Sequence, residues 1–306
     1  MLSAAPIVFS VLLVMILGKV ISLTILKEES FWQSLSRLCY WVLFPAMLFK
    51  TIATSDFSDM AVDKTVIALL TGLFGVTVLI WIAGRQFRLN NADLSSLLQG
   101  AFRHNGFMAL SIIAGLYGPK AVELGTLCLA TLVPVSNVMS VAILIYLNKR
   151  HEGMDLRRLL LKELIRNPLI ISIAAGLAAK YMPADLPIFI LDTTELLGRG
   201  ALPALLLAIG AGVHLSAFRS AWRALLLSAL AKAVIFPGLM VGSAMVMGLD
   251  GLSLIIIMIV GVMPTAVSSY PLARELGGNA KLMAEILSLQ TVLSVPVLLI
   301  WLAFIG

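Results

Sequence analysis

The chain has 306 residues, of which 60% are hydrophobic and only 12% carry a charged side chain. Soluble domains carry about 25% charged residues, so this composition excludes a large water-soluble domain and favours a membrane protein. The formal net charge is +6. The basic residues cluster in particular connections between apolar segments, so their excess does not require a nucleic-acid partner.

Apolar segments follow one another almost without interruption, and most meet the requirement of about 20 mainly apolar residues for crossing a bilayer. They fall into two sets of five, residues 1–147 and 163–306, separated by a basic connection at 148–162. Because each half has an odd number of spans, the two halves take opposite orientations, a layout common among secondary transporters. The sequence therefore predicts an all-α polytopic membrane protein built from two inverted five-helix repeats. The ten predicted spans are 5–24, 31–53, 64–84, 94–117, 121–147, 163–182, 187–213, 223–248, 251–276 and 280–304.

Lysine and arginine are distributed unevenly over the connections. Fifteen lie in or beside the odd-numbered connections and four in the even-numbered ones. Basic loops stay on the cytoplasmic side, so both termini are predicted to be extracytoplasmic and residues 148–162 cytoplasmic. Lys19 and Lys27 follow the first apolar run rather than precede it, which favours a retained span over a cleaved signal. The predicted location is the inner (plasma) membrane.

The fourth and ninth spans each contain a polar interruption. The fourth reads Arg103-His104-Asn105-Gly106, and the ninth contains Pro264-Thr265. At an offset of 159, Asn105 aligns with Pro264, so the two interruptions match under the repeat. Proline removes a helix hydrogen bond, and unpaired backbone groups cannot face lipid. Both segments should therefore be buried in protein or line a cavity, which predicts a substrate site where the two broken helices meet.

Five short segments of the sequence resemble the auxin efflux carrier family, which includes bacterial malonate and malate permease homologues and the plant PIN carriers. They are spread over the whole chain, and their order is more specific than any one of them. They read FPAMLF at 44–49, FRHNGF at 102–107, PVSNVMSV at 134–141, KELIRNP at 162–168, and the run from Pro264 through Ser269-Tyr270 to Leu293-Ser294-Val-Pro296.

The resemblance implies a ten-helix fold with a scaffold domain (spans 1, 2, 6 and 7) and a transport domain (spans 3–5 and 8–10). Spans 4 and 9 would cross at their breaks, with a small organic anion beside them. Asn105 matches the family's first crossover and Pro264 its second. The chain departs from the family where Gly106 follows Asn105 and His104 precedes it. The resemblance also implies a homodimer that pairs through spans 2 and 7.

Polar residues predicted to lie inside the membrane are the candidates for the site. A mid-membrane arginine needs an anionic partner or a wet cavity, and its planar fork suits a carboxylate. Arg103 therefore either contacts the substrate or has a fixed structural partner, Glu285 or a backbone carbonyl. The half-helix that begins after Asn105 would aim free N–H groups at the same anion. The full predicted substrate lining is Arg103, His104, Asn105, Gly106, Asn137, Pro264, Thr265, Ser268, Gln290 and Ser294.

Other polar groups admit structural interpretations. His104 is either a proton carrier or a hydrogen-bonded structural group. Lys232 and Glu285 are predicted to form a salt bridge between spans 8 and 10, or to support coupling. Glu195 and Arg199, four residues apart, are predicted to pair with each other.

Competing functions remain open at this stage. An enzyme is disfavoured because the sequence has no His-x-x-x-His word, no Gly-x-Ser-x-Gly elbow and no phosphate-binding loop. No metal or cofactor is expected. An anion channel would share the polar breaks, and a sodium-coupled symporter of the bile-acid class would share the architecture. The latter should have acidic and amide sodium ligands near the breaks, where this sequence is basic and amidic. The sequence therefore favours a secondary transporter that moves a mono- or dicarboxylate by an elevator-like alternating-access mechanism.

Overall fold

The computed structural model of the protein describes residues 4–57, 60–148, 164–182, 186–212 and 221–305. The chain is helical across these residues with short connections, and none of them lies in a β-strand. The predicted all-α class is confirmed for the described part of the chain. The predicted cytoplasmic connection 148–162 lies outside the described residues, apart from Asn148 at its start.

The helices follow the chain in two series separated by this connection. In the first half they are α1 (Ala4–Thr24), α2 (Glu29–Leu38), α3 (Phe44–Thr54), α4 (Val62–Gln86), α5 (Asn91–Phe102) and α6 (Gly106–Asn148). In the second half they are α7 (Pro168–Lys180), α8 (Ile188–Ala211), α9 (Trp222–Leu230), α10 (Phe236–Val246), α11 (Gly251–Val262), α12 (Ser269–Glu275) and α13 (Ala280–Ile305).

Helix α6 changes direction at one glycine. Gly118 has φ 74°, ψ −170°, a conformation that glycine adopts readily because it has no Cβ. The kink falls at the predicted boundary between the fourth and fifth spans.

Six helical stretches among the described residues are long and apolar enough to cross a membrane. Three shorter apolar helices, Phe9–Thr24, Pro168–Lys180 and Gly251–Val262, cover parts of further predicted spans. These helices support a multi-span membrane protein, while the number of ten spans and the inverted repeat remain predictions. The six stretches are Glu29–Thr54, Val62–Gln86, Lys120–Asn148, Ile188–Ala211, Trp222–Val246 and Ala280–Ile305.

Two of these stretches contain a π-helical turn, at Cys39–Leu43 and at Ala231–Ile235. Each turn is followed at once by a Phe-Pro pair. Proline cannot donate an N–H to the preceding turn, and such turns are frequent at functional sites. Within the second turn, the carbonyl oxygen of Ala233, four residues before Pro237, accepts a hydrogen bond from the indole N–H of Trp301 at 2.8 Å.

The chain divides into two compact units. The first combines Met1–Met60, Phe107–Ala130 and Ile165–Val213, and the second combines Ala61–Gly106, Thr131–Leu164 and His214–Gly306. The first unit contains the four spans predicted as scaffold, together with residues 107–130 from the fourth and fifth spans. The division into repeats at 1–147 and 163–306 is a statement about symmetry, and it stays a prediction.

In the first unit, α1 and α8 pack backbone against backbone. A Cβ added at Gly18 would lie 2.1 Å from the carbonyl oxygen of Leu207, and one added at Gly210 would lie 1.9 Å from that of Met15. Small residues allow this approach between apolar helices, where packing replaces the hydrophobic effect as the main attraction.

The first unit also carries a cluster of charged side chains. The predicted pair is confirmed, because Arg199 Nη2 lies 2.6 Å from Glu195 Oε1. The second carboxylate oxygen of Glu195 lies 2.7 Å from Lys50 Nζ, so one carboxylate bridges α3 and α8. These three residues and Glu123 line a cavity of about 310 Å³.

In the second unit, the helices that lead into the two interruptions are the most deeply buried. Every residue of α5 from Leu94 to Phe102 is buried, as is every residue of α11 from Ile256 to Val262. The start of α5 is tied to the start of α13, since Asn279 Nδ2 donates to Asp93 Oδ1 at 2.7 Å. Packing on all sides therefore fixes where these two helices end.

Candidate functional site

The two predicted interruptions are present, and we call them the first and second breaks. Helix α5 ends at Phe102 and α6 begins at Gly106, so the first break is residues 103–105. Helix α11 ends at Val262 and α12 begins at Ser269, so the second break is residues 263–268. The backbone N–H of Asn105 donates to the carbonyl oxygen of Pro264 at 2.7 Å. The two residues aligned by the repeat offset are therefore in direct contact.

A broken helix leaves backbone carbonyl groups without their usual donors, and each one that is buried needs a partner. Side chains from other elements of the second unit supply these partners. Gln290 Nε2 donates to the carbonyl oxygen of Gly100 at 2.8 Å. Lys232 Nζ donates to that of Arg103 at 2.6 Å. Several polar residues predicted to line the site thus stabilise the breaks themselves.

Gln290 is the centre of a buried hydrogen-bond network. Its Oε1 accepts from the backbone N–H of Thr265 at 2.8 Å, and its Nε2 also donates to Ser228 Oγ at 2.7 Å. The Thr265 hydroxyl lies 2.7 Å from Gln290 Oε1 and 2.9 Å from the carbonyl oxygen of Gly100, and it can donate to one of them at a time. This network links α5, α9, α13 and the second break.

Arg103 is the polar centre of the first break. Its side chain is only 5% exposed, and Nη2 donates to Asn137 Oδ1 at 2.8 Å and to Ser268 Oγ at 2.9 Å. Three of the predicted substrate residues therefore meet at one guanidinium. Asn137 is half-buried and Ser268 exposed, so the buried arginine adjoins residues that are open at the surface of the unit.

Lys232 meets the break from the second π-helical turn. Its ammonium group is 3% exposed, donates to the Arg103 carbonyl, and lies 4.4 Å from the centre of the Phe236 ring. The sequence predicts for Lys232 and Glu285 either a salt bridge or a supporting role in coupling, and the contact with the Arg103 carbonyl oxygen fits a supporting position. Glu285 is also buried, at 3% exposed, on α13.

Three side chains beside the breaks have buried polar atoms that lack a hydrogen-bond partner among the described residues. These are both ring nitrogens of His104, both amide atoms of Gln99, and the hydroxyl oxygen of Ser269. A buried polar atom left unpaired costs about 1–3 kcal/mol. Such atoms mark places where a water molecule or a polar ligand supplies the missing bonds.

The cavity next to this region is small, at about 10 Å³, which is space for about one water molecule. Lys232, Gln290 and Ser294 contribute its polar lining, and the Ser294 hydroxyl donates to the carbonyl oxygen of Thr291 in its own helix at 2.8 Å. Gly106 is half-buried at the start of α6. The space beside Lys232 and Gln290 is therefore too small for a carboxylate in this conformation.

Sequence reasoning missed Gln99, Ser228 and Ser269. The first two lie four residues before a predicted buried cation, Gln99 before Arg103 and Ser228 before Lys232. Residues four apart share one helix face, so that spacing was the available signal. Ser269 directly follows Ser268, a residue of the predicted substrate lining.

Comparisons with known proteins identify the family of the chain. A model of the family described as membrane transport protein matches residues 4–302. An uncharacterized transporter of Methanocaldococcus jannaschii is 21% identical over 291 residues, which are 90% of this chain and 90% of that protein. The match covers both breaks and nearly every helix, so the chain belongs to the auxin efflux carrier-like family of membrane transport proteins.

Proposed function

We propose that the protein is a secondary transporter for a small organic anion and that a carboxylate of this anion binds Arg103 between the two breaks. The observation that carries the proposal is a buried guanidinium held by an amide and a hydroxyl at the contact of two broken helices. Gln99, His104 and Ser269, which have free hydrogen-bonding capacity among the described residues, lie in or beside the same breaks and are buried. A cationic side chain inside a membrane protein costs free energy, and such residues mark substrate or ion sites.

The chemistry favours an anion. Arg103 Nη2 donates to neutral oxygens of Asn137 and Ser268, whereas a carboxylate would bring an opposite charge and can accept two parallel N–H bonds from a guanidinium. An anion would take the guanidinium from these oxygens, after which the Asn137 and Asn105 amides and the Ser268 hydroxyl can orient it as donors. Thr265, Gln290 and Lys232 would position the breaks. A basic and amidic lining also favours an anion over a sodium ion.

Transport would follow from movement of the domain formed by spans 3–5 and 8–10 against the scaffold. Arg103 is only 5% exposed, so a carboxylate would reach its guanidinium when the side chains packed around it separate. Alternate opening of such a closed site toward the two sides of the membrane is the alternating-access mechanism.

The experiment begins with a thermal-shift screen of the purified protein against acetate, lactate, malonate, succinate and malate. A ligand at 100 times its dissociation constant adds about 2.7 kcal/mol to the stability. For the carboxylate that stabilises most, we expect Arg103→Ala to weaken binding about 10- to 100-fold, because a charge-assisted bond contributes about 1.5–3 kcal/mol.

The matched control is Arg199→Ala, which removes an exposed arginine paired with Glu195 and should leave the affinity unchanged. Equal binding by Arg103→Ala and the parent protein would show that Arg103 is structural. In proteoliposomes, uptake accelerated by the same anion on the opposite side identifies a carrier, whereas ohmic single-channel currents would identify the rival anion channel. Replacement of sodium by choline, with uptake retained, tests the sodium-coupled alternative.

A further inference from the structure

We propose that His104 is a proton-binding site coupled to the anion, so that the protein moves a proton together with its substrate. The inference rests on the proposed anion site at Arg103 and names the ion that accompanies the anion. It assigns a function to a side chain that, among the described residues, forms no hydrogen bond with the backbone of the breaks.

The His104 ring is placed for exchange of a proton rather than for structural support. It lies in the first break, is 4% exposed, and neither ring nitrogen has a hydrogen-bond partner among the described residues. A structural histidine normally holds both nitrogens in hydrogen bonds, because a neutral imidazole carries one donor and one acceptor. The neighbouring carbonyl groups of Gly100 and Arg103 are already occupied by Gln290 and Lys232.

The charges around this ring are predominantly positive. Arg103 is the adjacent residue, Lys232 reaches the same break from the π-helical turn, and both cations act electrostatically on the ring. Glu285 is the buried carboxylate of α13, the helix that carries Gln290. On the other neighbouring elements, the charged or titratable groups Arg274 and Glu275 of α12, Arg223 of α9 and Tyr146 of α6 are exposed.

An anion at Arg103 would change this balance. Its negative charge offsets the two cations next to His104, so that a proton on the imidazole becomes easier to accommodate once the anion is bound. By linkage, the proton must then strengthen anion binding by the same factor. The proton is taken from water on the side where the anion enters and is returned to water on the side where it leaves. A monocarboxylate would thus cross with no net charge.

The decisive experiment measures anion and proton movement together. Purified protein is reconstituted into liposomes that contain the pH dye pyranine, and the carboxylate of the five-member panel that stabilises the protein most is added outside. We expect anion uptake to acidify the interior. In His104→Gln we expect the acidification per molecule of anion taken up to fall to background, at whatever rate the variant takes up the anion. His151→Gln, the same change in the 148–162 connection, should behave as the parent protein does.

The outcomes separate the two proposals. If no carboxylate stabilises the protein or enters the liposomes, the proposed function is wrong and the proton site falls with it. If the parent takes up the anion without acidification, or if acidification persists in His104→Gln, the proton site alone is wrong.

A second measurement does not depend on folding of the His104 variant. The chain has three histidines, so the double variant His151→Gln/His214→Gln leaves His104 as the only one. Nitrogen-15 resonances of its ring distinguish imidazole from imidazolium. We expect the imidazolium signal to appear when the stabilising carboxylate is added to the protein in lipid nanodiscs. A ring that stays neutral at saturating anion would refute the coupling.

Discussion

Arg103 and Lys232 are both buried cations of the same region, yet their contacts differ in kind. Lys232 Nζ donates to a backbone carbonyl oxygen that has lost its helical donor, whereas Arg103 Nη2 donates to two side chains, Asn137 and Ser268. Side chains can be displaced by a ligand more easily than a backbone carbonyl can move. At the level of single residues, this difference supports the proposal that Arg103 binds the substrate and that Lys232 supports the first break.

Gln290 provides a test of this division. Gln290→Leu removes the donor to Gly100 and Ser228 and the acceptor for the Thr265 N–H. Each buried group left unpaired costs about 1–3 kcal/mol, so we expect a clear fall in the midpoint of thermal unfolding in detergent. Gln33→Leu is the matched control, because Gln33 is exposed and its amide donates to the Glu29 carboxylate one turn earlier in the same helix. Equal midpoints for the two variants would contradict a supporting role for Gln290.

The residue types predicted where the two breaks lie. They did not predict which groups form hydrogen bonds with one another there. Matched polar interruptions in two apolar segments predicted the breaks, whereas a proline alone would not, since Pro203 and Pro296 lie inside continuous helices. The predicted substrate lining also included Arg103, Asn137 and Ser268, and Arg103 donates hydrogen bonds to the other two in the structure. The sequence did not predict that Lys232 would donate to the Arg103 carbonyl oxygen, because a lysine chain can reach many acceptors and the packing of the π-helical turn selects among them.

At the scale of elements, glycines decide how closely helices approach. In α8, Gly210 faces the backbone of α1, where an added Cβ would lie 1.9 Å from the Met15 carbonyl oxygen, whereas an added Cβ at Gly200 would meet nothing within 4 Å. The two positions lie ten residues apart in the same helix. Sequence alone does not distinguish them, because the difference depends on which face of α8 meets α1.

This contrast gives a paired prediction. Gly210→Ala should lower the midpoint of thermal unfolding strongly, because α1 and α8 must move apart and lose their packing contacts. Gly200→Ala should leave it unchanged or raise it slightly, since alanine favours a helix over glycine by about 0.5–1 kcal/mol. Fluorescence-detected size-exclusion after heating measures both. A Gly210→Ala protein as stable as the parent would show that the two helices are not in backbone contact.

At the scale of the whole molecule, the uneven distribution of lysine and arginine predicts the orientation in the membrane. Alkaline phosphatase fused after residue 306 should be active, because the carboxy terminus is expected outside the cytoplasm. The same enzyme fused within residues 148–162 should be inactive, and a fluorescent protein inserted there should fold. An inactive fusion at the carboxy terminus would refute both the orientation and the five-plus-five arrangement.

The oligomeric state is a separate question for the whole molecule. The resemblance to the auxin efflux carrier family is the basis for a homodimer that pairs through spans 2 and 7. Native mass spectrometry from several mild detergents should then show twice the mass of the 32.8 kDa chain. Monomers alone in all of them would contradict the dimer.

Because the Trp301 indole is hydrogen-bonded to the Ala233 carbonyl oxygen, its fluorescence reports on the conformation of the second π-helical turn. Ala233 follows Lys232 in the π-helical turn, so any rearrangement of that turn changes the hydrogen bond of the indole and hence the colour of its fluorescence. The chain has five tryptophans, and phenylalanine in place of the other four would isolate this signal. A conformational cycle could then be followed in real time without attaching a dye.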